Sequence, residues 1–259
     1  MAGSLDRLRL VTLLRESLQP LPRVLAMWEG GSAAWGRLDE WSDLDVLVLV
    51  EDDFVEAAFE ALEAALSAAS PVSLRYVPPR PTWHGHDQRF YRLRDGGPFL
   101  MLDVVVLRRS APERFLDRER HGEPVVCFDK TGDISARAID RGTLRARISA
   151  RLEQLRVTFP LFQPLVRKEL LRGNDLDALA FYQSQTLAPL LMLLRMRHCP
   201  ARFDFGLRYV DRDLPPDVTA TVRALWFVSR PGEIEKKQRE AEALFEQVLG
   251  ELAASGIDV

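Results

Sequence analysis

Val46-Leu47-Val48-Leu49-Val50 is an unbroken apolar run with two aspartates, Asp43 and Asp45, at its head. A run this short that does not alternate reads as a strand covered on both faces, so it belongs in the middle of a layered sheet. Two positions apart on a strand, Asp43 and Asp45 project to one face. Carboxylates held that close repel, so either one takes a proton or a cation sits between them. Magnesium suits such a pair, because it accepts one or two carboxylates and fills its remaining positions with water and phosphate oxygens.

The residues just upstream add a second element. Arg23–Trp28 reads as a strand, and Gly30-Gly31-Ser32 as the turn after it. Glycine lets a backbone approach a ligand closely and adopt positive φ. Backbone N–H groups there, with the Ser32 hydroxyl, can cradle a phosphate at the start of a short helix. Ser32 precedes Asp43 by eleven positions, which suits a turn, a short helix and re-entry into the adjacent strand. A third carboxylate, Asp103, interrupts the apolar strand Phe99–Leu107 near its middle. A lone carboxylate there is costly unless paired or metal-bound. With this strand beside Asp43–Val50, Asp103 faces the same pocket, where it holds metal or takes the proton of an attacking hydroxyl.

Around this segment, Leu5–Leu18 and Asp53–Ala69 read as helices, the first ended by Pro20 and Pro22. Val72–Val77, Gln88–Arg94 and Val125–Phe128 read as strands, with a strong turn at Asp95-Gly96-Gly97-Pro98. Beyond about residue 133 the pattern is helical: Ser135–Arg156, Leu161–Arg172 ended by Gly173, a helix from Asp175, then Val218–Val228 and Glu233–Leu252. Leu176, Leu179, Ala180, Leu187, Leu190, Leu191 and Leu194 make one apolar face of the helix from Asp175. The expected class is α+β, with an α/β domain over 1–132 and an all-α helical domain over 133–259.

Composition narrows the function classes. Hydrophobic residues make up 47% and charged residues 28%, too apolar for a disordered chain. The net charge of −3 gives no global attraction to long nucleic acid. No apolar run approaches the ~20 residues that span a bilayer. Met1–Arg7 shows no basic region followed by an apolar core, so the expected location is the cytoplasm, with no membrane partner. Cys127 and Cys199, far apart, exclude a disulfide scaffold and a cysteine-rich zinc site.

Gly31-Ser32, Gly36, Ser42-Asp43-x-Asp45 and the later Asp103 resemble the signature of the DNA polymerase β-like nucleotidyltransferase superfamily. The layout of sheet then helices is similar to its bacterial aminoglycoside adenylyltransferase branch. Arg208-Tyr209…Arg212-Asp213-Leu214-Pro215 resembles a stretch of its antibiotic-modifying members. Ala34-Trp35-Gly36 departs from the usual pattern before the second glycine, which leaves the path of the turn open. The resemblance implies a small mixed sheet with the serine turn and aspartates at one edge, and a helical bundle closing the substrate cleft. It implies transfer of NMP, AMP from ATP foremost, to a hydroxyl of a small aminoglycoside-like antibiotic, with release of pyrophosphate. Asp43, Asp45 and Asp103 would be the catalytic carboxylates and ligands of two Mg²⁺ ions, and Gly31, Ser32 and Ser42 would bind nucleotide.

Two other readings compete. A serine hydrolase built on Ser32 lacks the G-x-S-x-G elbow, since position 34 is alanine. A catalytically inactive nucleotide sensor of the same fold would have no need of the three acids. His84-Gly85-His86 has the spacing of a metal pair but no further ligand nearby, and reads as an exposed loop. Asp175 and Asp177 suit a helix N-terminus.

Overall fold

The apolar run at 46–50 lies where its composition demands, near the centre of a six-stranded sheet. The computed structural model describes residues 5–255, so Met1–Ser4 of the N-terminal reading lie outside the described residues. The chain divides into two compact units, Met1–Ala138 and Ile139–Val259. Among the described residues no helix is long and apolar enough to cross a membrane.

In the first unit the elements run α1 (Arg7–Leu18), β1 (Val24–Glu29), α2 (Gly31–Ala34), β2 (Leu44–Val50), α3 (Val55–Ala69), β3 (Val72–Tyr76), β4 (Asp87–Leu93), β5 (Leu102–Arg108), α4 (Arg118–His121) and β6 (Val125–Asp129). The strand order is β3-β4-β5-β2-β1-β6. β2 and β5 pair in parallel and every other neighbouring pair is antiparallel, so the sheet is mixed.

Alternation divides β2 and β5 between two cores. Leu44, Val46, Val48 and Val50, with Leu102, Val104 and Val106, pack against Leu10, Leu14 and Leu18 of α1 and Phe59, Leu62 and Leu66 of α3. Leu47, Leu49, Val105 and Leu107 face the other way, onto Trp28, Leu116 and Ile134. α1 begins at Asp6, whose carboxylate accepts the Arg9 N–H at 2.9 Å and satisfies one of the first-turn donors. β5 starts at Leu102 rather than Phe99, because the turn through Gly97 and Pro98 extends further than the apolar run suggests. Asp103 is therefore the second residue of its strand and not a mid-strand interruption.

The second unit is all-helical: α5 (Arg141–Arg172), α6 (Asp175–Phe181), α7 (Ala188–His198), α8 (Val210–Asp213), α9 (Pro216–Trp226) and α10 (Ile234–Ser255). The two helices expected over 135–172 are one helix of 32 residues that runs through Pro160 and Pro164. An interior proline costs ~3 kcal/mol because it removes a donor and crowds the preceding turn. Both prolines lie on the exposed side, while Leu144, Ile148, Leu152, Leu155, Phe159 and Val166 form a buried stripe continuous past them. Burial of that stripe holds the helix together.

A π-helical segment, Tyr182–Leu187, joins α6 to α7. Pro189 has no N–H to offer the Gln185 carbonyl four residues back. Gln163 of α5 donates its side-chain amide to that carbonyl at 3.0 Å, and its own oxygen accepts from Thr186 Oγ1 at 2.6 Å. The apolar face expected over 176–194 breaks here: Leu187, Leu190, Leu191 and Leu194 are buried, but Leu176 is 83% exposed.

Arg195 of α7 is fully buried and binds Asp213 at 2.8 Å, while donating to the carbonyls of Gly206 and Arg208. Asp213 also pairs with Arg202 at 2.9 Å. These bonds pin the segment from Cys199 to Asp213 onto α7. Removing one partner of a buried pair leaves uncompensated charge, at ~3–5 kcal/mol. Arg195→Leu is therefore expected to lower stability by about that amount, read as a lower urea midpoint; an unchanged midpoint would refute the pinning role.

Candidate active site at the β1–β2–β5 edge

β1 runs antiparallel to β2, with Glu29 opposite Val46, so the end of β1 meets the start of β2. The chain then turns through Gly30 and Gly31 into α2. The Gly30 N–H donates to the Asp45 carbonyl at 3.1 Å. Gly31 has φ +50, and a Cβ built on it would stand 1.8 Å from Asp45 Oδ2. No side chain fits there, so the glycine expected to bring backbone close to a ligand brings it onto a carboxylate. Ser32, half-buried, sits in the first turn of α2.

Parallel pairing of β2 with β5 sets Asp45 directly opposite Asp103. Neighbouring strands lie ~4.8 Å apart, and residues in register project to the same face. Both aspartates stand on the Leu47, Leu49, Val105 and Leu107 face, at the strand starts, and both are half-buried rather than sealed from solvent. Gln88 of β4 donates its amide to Asp103 Oδ1 at 2.7 Å.

Asp43 and Ser42 precede the strand. Asp43 lies one residue before β2. Burial raises the Asp43 carboxyl above its ordinary value, against the Met101 backbone and Arg92, which lower it. The Ser42 hydroxyl donates to Asp39 Oδ1 at 2.7 Å and accepts the Asp39 N–H at 3.0 Å, closing the loop that leads into β2. Among the described residues no group of three or more His, Cys, Asp or Glu is gathered closely enough to hold a metal ion. Asp45 and Asp103 are thus brought together as a pair. Such a pair fits a divalent ion that takes two carboxylates and completes its shell with water and phosphate oxygens.

Several neighbours of this pair escaped the sequence reading. Glu29, 6% exposed, is ion-paired with Arg7 of α1; burial raises its carboxyl, Arg7 lowers it, and the Asp45 charge raises it further. Its signal was an acid ending an otherwise apolar strand. Gly122 has φ +81, and a Cβ on it would meet the Ala34 carbonyl at 2.4 Å; the next N–H, of Glu123, donates to that carbonyl at 2.8 Å. This contact anchors α2 and has no local sequence signature.

His84-Gly85-His86 lies in a loop, as expected, but the loop is not exposed throughout. His86 is buried, and its ring lies 5.3 Å from that of His84 and 5.2 Å from Phe115. Phe115 also packs edge-on against His84 and His121. Burial holds both His84 and His86 below the ordinary histidine value of 6.5, and their mutual repulsion adds to this at His86. In the helical unit, Asp213 of the Arg208–Pro215 stretch is buried in the Arg195 pair, whereas Arg208 lies over the Tyr209 ring at 5.2 Å.

No family model and no curated protein matches this chain. It is similar in outline to two solved structures. One is an aminoglycoside 6-adenyltransferase from Bacillus subtilis, at 17% identity and TM-score 0.37, covering 95% of this chain and 89% of that one. The other is a spectinomycin adenyltransferase, AAD(9), from Enterococcus faecialis with ATP and spectinomycin, at 12% identity and TM-score 0.38, covering 96% and 100%.

Two outcomes follow from this geometry. Gly31→Ala combines left-handed strain, ~1–3 kcal/mol, with the clash on Asp45. Gly36→Ala, at φ +62 with open space around it, carries the strain alone. The first is expected to lower the denaturation midpoint more than the second, and equal losses would deny the close approach. The second outcome concerns pH. Because the folded-state pKa values of His84 and His86 are depressed, the stability tied to their neutral rings is fully present above 6.5 and lost as pH falls through the lower folded values. Thermal midpoints of His86→Phe should fall less than wild type between neutral and mildly acidic pH; parallel curves would contradict the assignment.

Proposed function

We propose that this chain is a Mg²⁺-dependent nucleotidyltransferase that moves NMP, AMP from ATP foremost, onto a hydroxyl of a small molecule. The observation that carries the reading is the register pair Asp45–Asp103 beneath the Gly30-Gly31-Ser32 turn. Two carboxylates side by side, with a backbone turn pressed against one of them, suit a polyanion arriving with its counter-cation.

In this reading Asp45 and Asp103 hold Mg²⁺, and Asp43, at the mouth of β2, is the third acidic group available to it. Bound there, the metal would neutralise triphosphate charge and make the α-phosphorus a better electrophile. Ser32 and the turn N–H groups meet phosphate oxygens. Ser42, already bonded to Asp39, orders the loop that delivers Asp43. The acceptor oxygen forms its bond to the α-phosphorus as the bond to the pyrophosphate oxygen breaks, in line. The hydroxyl proton passes to a carboxylate of the cluster, Asp103 in this reading. The acceptor class is a small polyhydroxylated compound of aminoglycoside type, as the sequence resemblance implies. A cytoplasmic location fits the use of ATP.

The test is pyrophosphate release from NTP and Mg²⁺ with aminoglycoside acceptors. Asp45→Asn and Asp103→Asn should each lower it ~100-fold or more, because the charge stabilisation lost amounts to several kcal/mol. Thermal midpoints should be unchanged or raised, since each change relieves like-charge repulsion. Nucleotide binding with no turnover for any acceptor would favour the inactive sensor reading, and no nucleotide binding at millimolar concentration would end the proposal.

A further inference from the structure

A directed chain of hydrogen bonds runs from the His84–Phe115 ring cluster to the candidate metal pair. The His86 backbone N–H lies 3.1 Å from His84 Nδ1. A backbone N–H can only donate, so Nδ1 carries the lone pair and the ring proton is on Nε2. Nε2 then donates to Gln88 Oε1, 3.2 Å away. With its oxygen so engaged, the Gln88 amide turns its nitrogen toward Asp103 and donates to Oδ1 at 2.7 Å. Each link dictates the orientation of the next.

The ends of the chain are fixed by separate means. The His84 ring is packed by Trp83 at 4.9 Å, His86 at 5.3 Å and Phe115 at 5.5 Å. Thr82 Oγ1 donates to the His86 carbonyl at 2.6 Å and closes the loop that carries the ring. Gln88 is anchored in β4, opposite Val105 of β5, two positions along the strand from Asp103. Burial lowers the His84 value, which favours the neutral ring whose Nδ1 accepts.

We propose that Gln88 and His84 are positioning residues for Asp103: Gln88 holds its carboxylate in one rotamer beside Asp45, and His84 keeps the Gln88 amide from flipping. A flipped amide would set its oxygen against the carboxylate and drive Asp103 away from the pair. Outer partners of metal-binding carboxylates act this way, and their loss typically weakens metal binding ~10–100-fold. The inference rests on the metal-dependent reading above and extends it to two residues that touch neither metal nor substrate in it.

The experiment is Mn²⁺ binding to the full chain, followed by electron paramagnetic resonance, with no nucleotide or turnover required. Wild type is expected to bind, and Asp45→Asn to lose binding. Equal affinity in those two would overturn the two-aspartate site and, with it, the proposed function. Given that difference, Gln88→Leu should bind ~10–100-fold more weakly. His84→Phe, which keeps a ring in the aromatic cluster but has no donor, should also weaken binding. His84→Gln, which restores an N–H toward Gln88, should recover part of the loss, an outcome that a purely packing role for His84 does not produce. Wild-type affinity in Gln88→Leu would overturn the positioning role while leaving the metal site standing. Wild-type affinity in His84→Phe, or no recovery in His84→Gln, would remove His84 from it. Thermal unfolding of each variant separates lost binding from lost fold, and Gln88→Leu, at a half-exposed site, carries the test should the His84 variants unfold.

Discussion

The parallel pairing of β2 with β5 is the constraint on which everything else in the first unit turns. It sets Asp45 opposite Asp103 and, by the same register, sets Leu47 opposite Val105 and Leu49 opposite Leu107. A slip of either strand by one residue would turn its aspartate toward the α1–α3 core and its core-facing valines out of it. The apolar residues therefore enforce the acidic pair: the carboxylates stay together because displacing them would expose two buried strands. Such an arrangement stores like-charge repulsion at the end of a sheet whose packing holds it there.

The surroundings of that pair divide into supports of different kinds. Gly31 gives proximity, since only a missing side chain lets the turn rest on Asp45. Gly122 and Glu123 hold α2 from the other side through the Ala34 carbonyl. Gln88 and His84 give direction through hydrogen bonds. These contacts come from backbone and neutral polar groups, and the charged pair of Glu29 with Arg7 stands beside them. In the helical unit, polar groups serve continuity instead: Gln163 replaces a donor that Pro189 lacks, and Arg195 with Asp213 closes a long connection.

How much of this was legible differs from residue to residue. The apolar run at 46–50 announced a central strand, and its place beside β5 and β1 agrees. The Gly-Gly-Ser turn and the Asp45–Asp103 proximity were also readable, because an acid at the head of a doubly covered strand and an acid in a second apolar strand have few places to go. Asp43 was read as a strand residue and stands just outside it. The break predicted between two helices near Pro160 does not exist, because local proline chemistry is outweighed by the buried stripe on the opposite side of α5. His86 sits in a loop as expected but is buried there rather than exposed, and one of the rings that cover it, Phe115, is distant in sequence.

The amino-acid sequence alone determined the alternation of strands and helices in the first half, the helical second half, and the acidic and glycine-rich residues that define the candidate site. These properties follow from periodicity and from backbone freedom at single residues, both of which are local. Tertiary structure alone decided which carboxylates become neighbours, which amide orients Asp103, and which rings bury His84 and His86. Those depend on strand register and on contacts between segments far apart along the chain, where no local pattern records the partner.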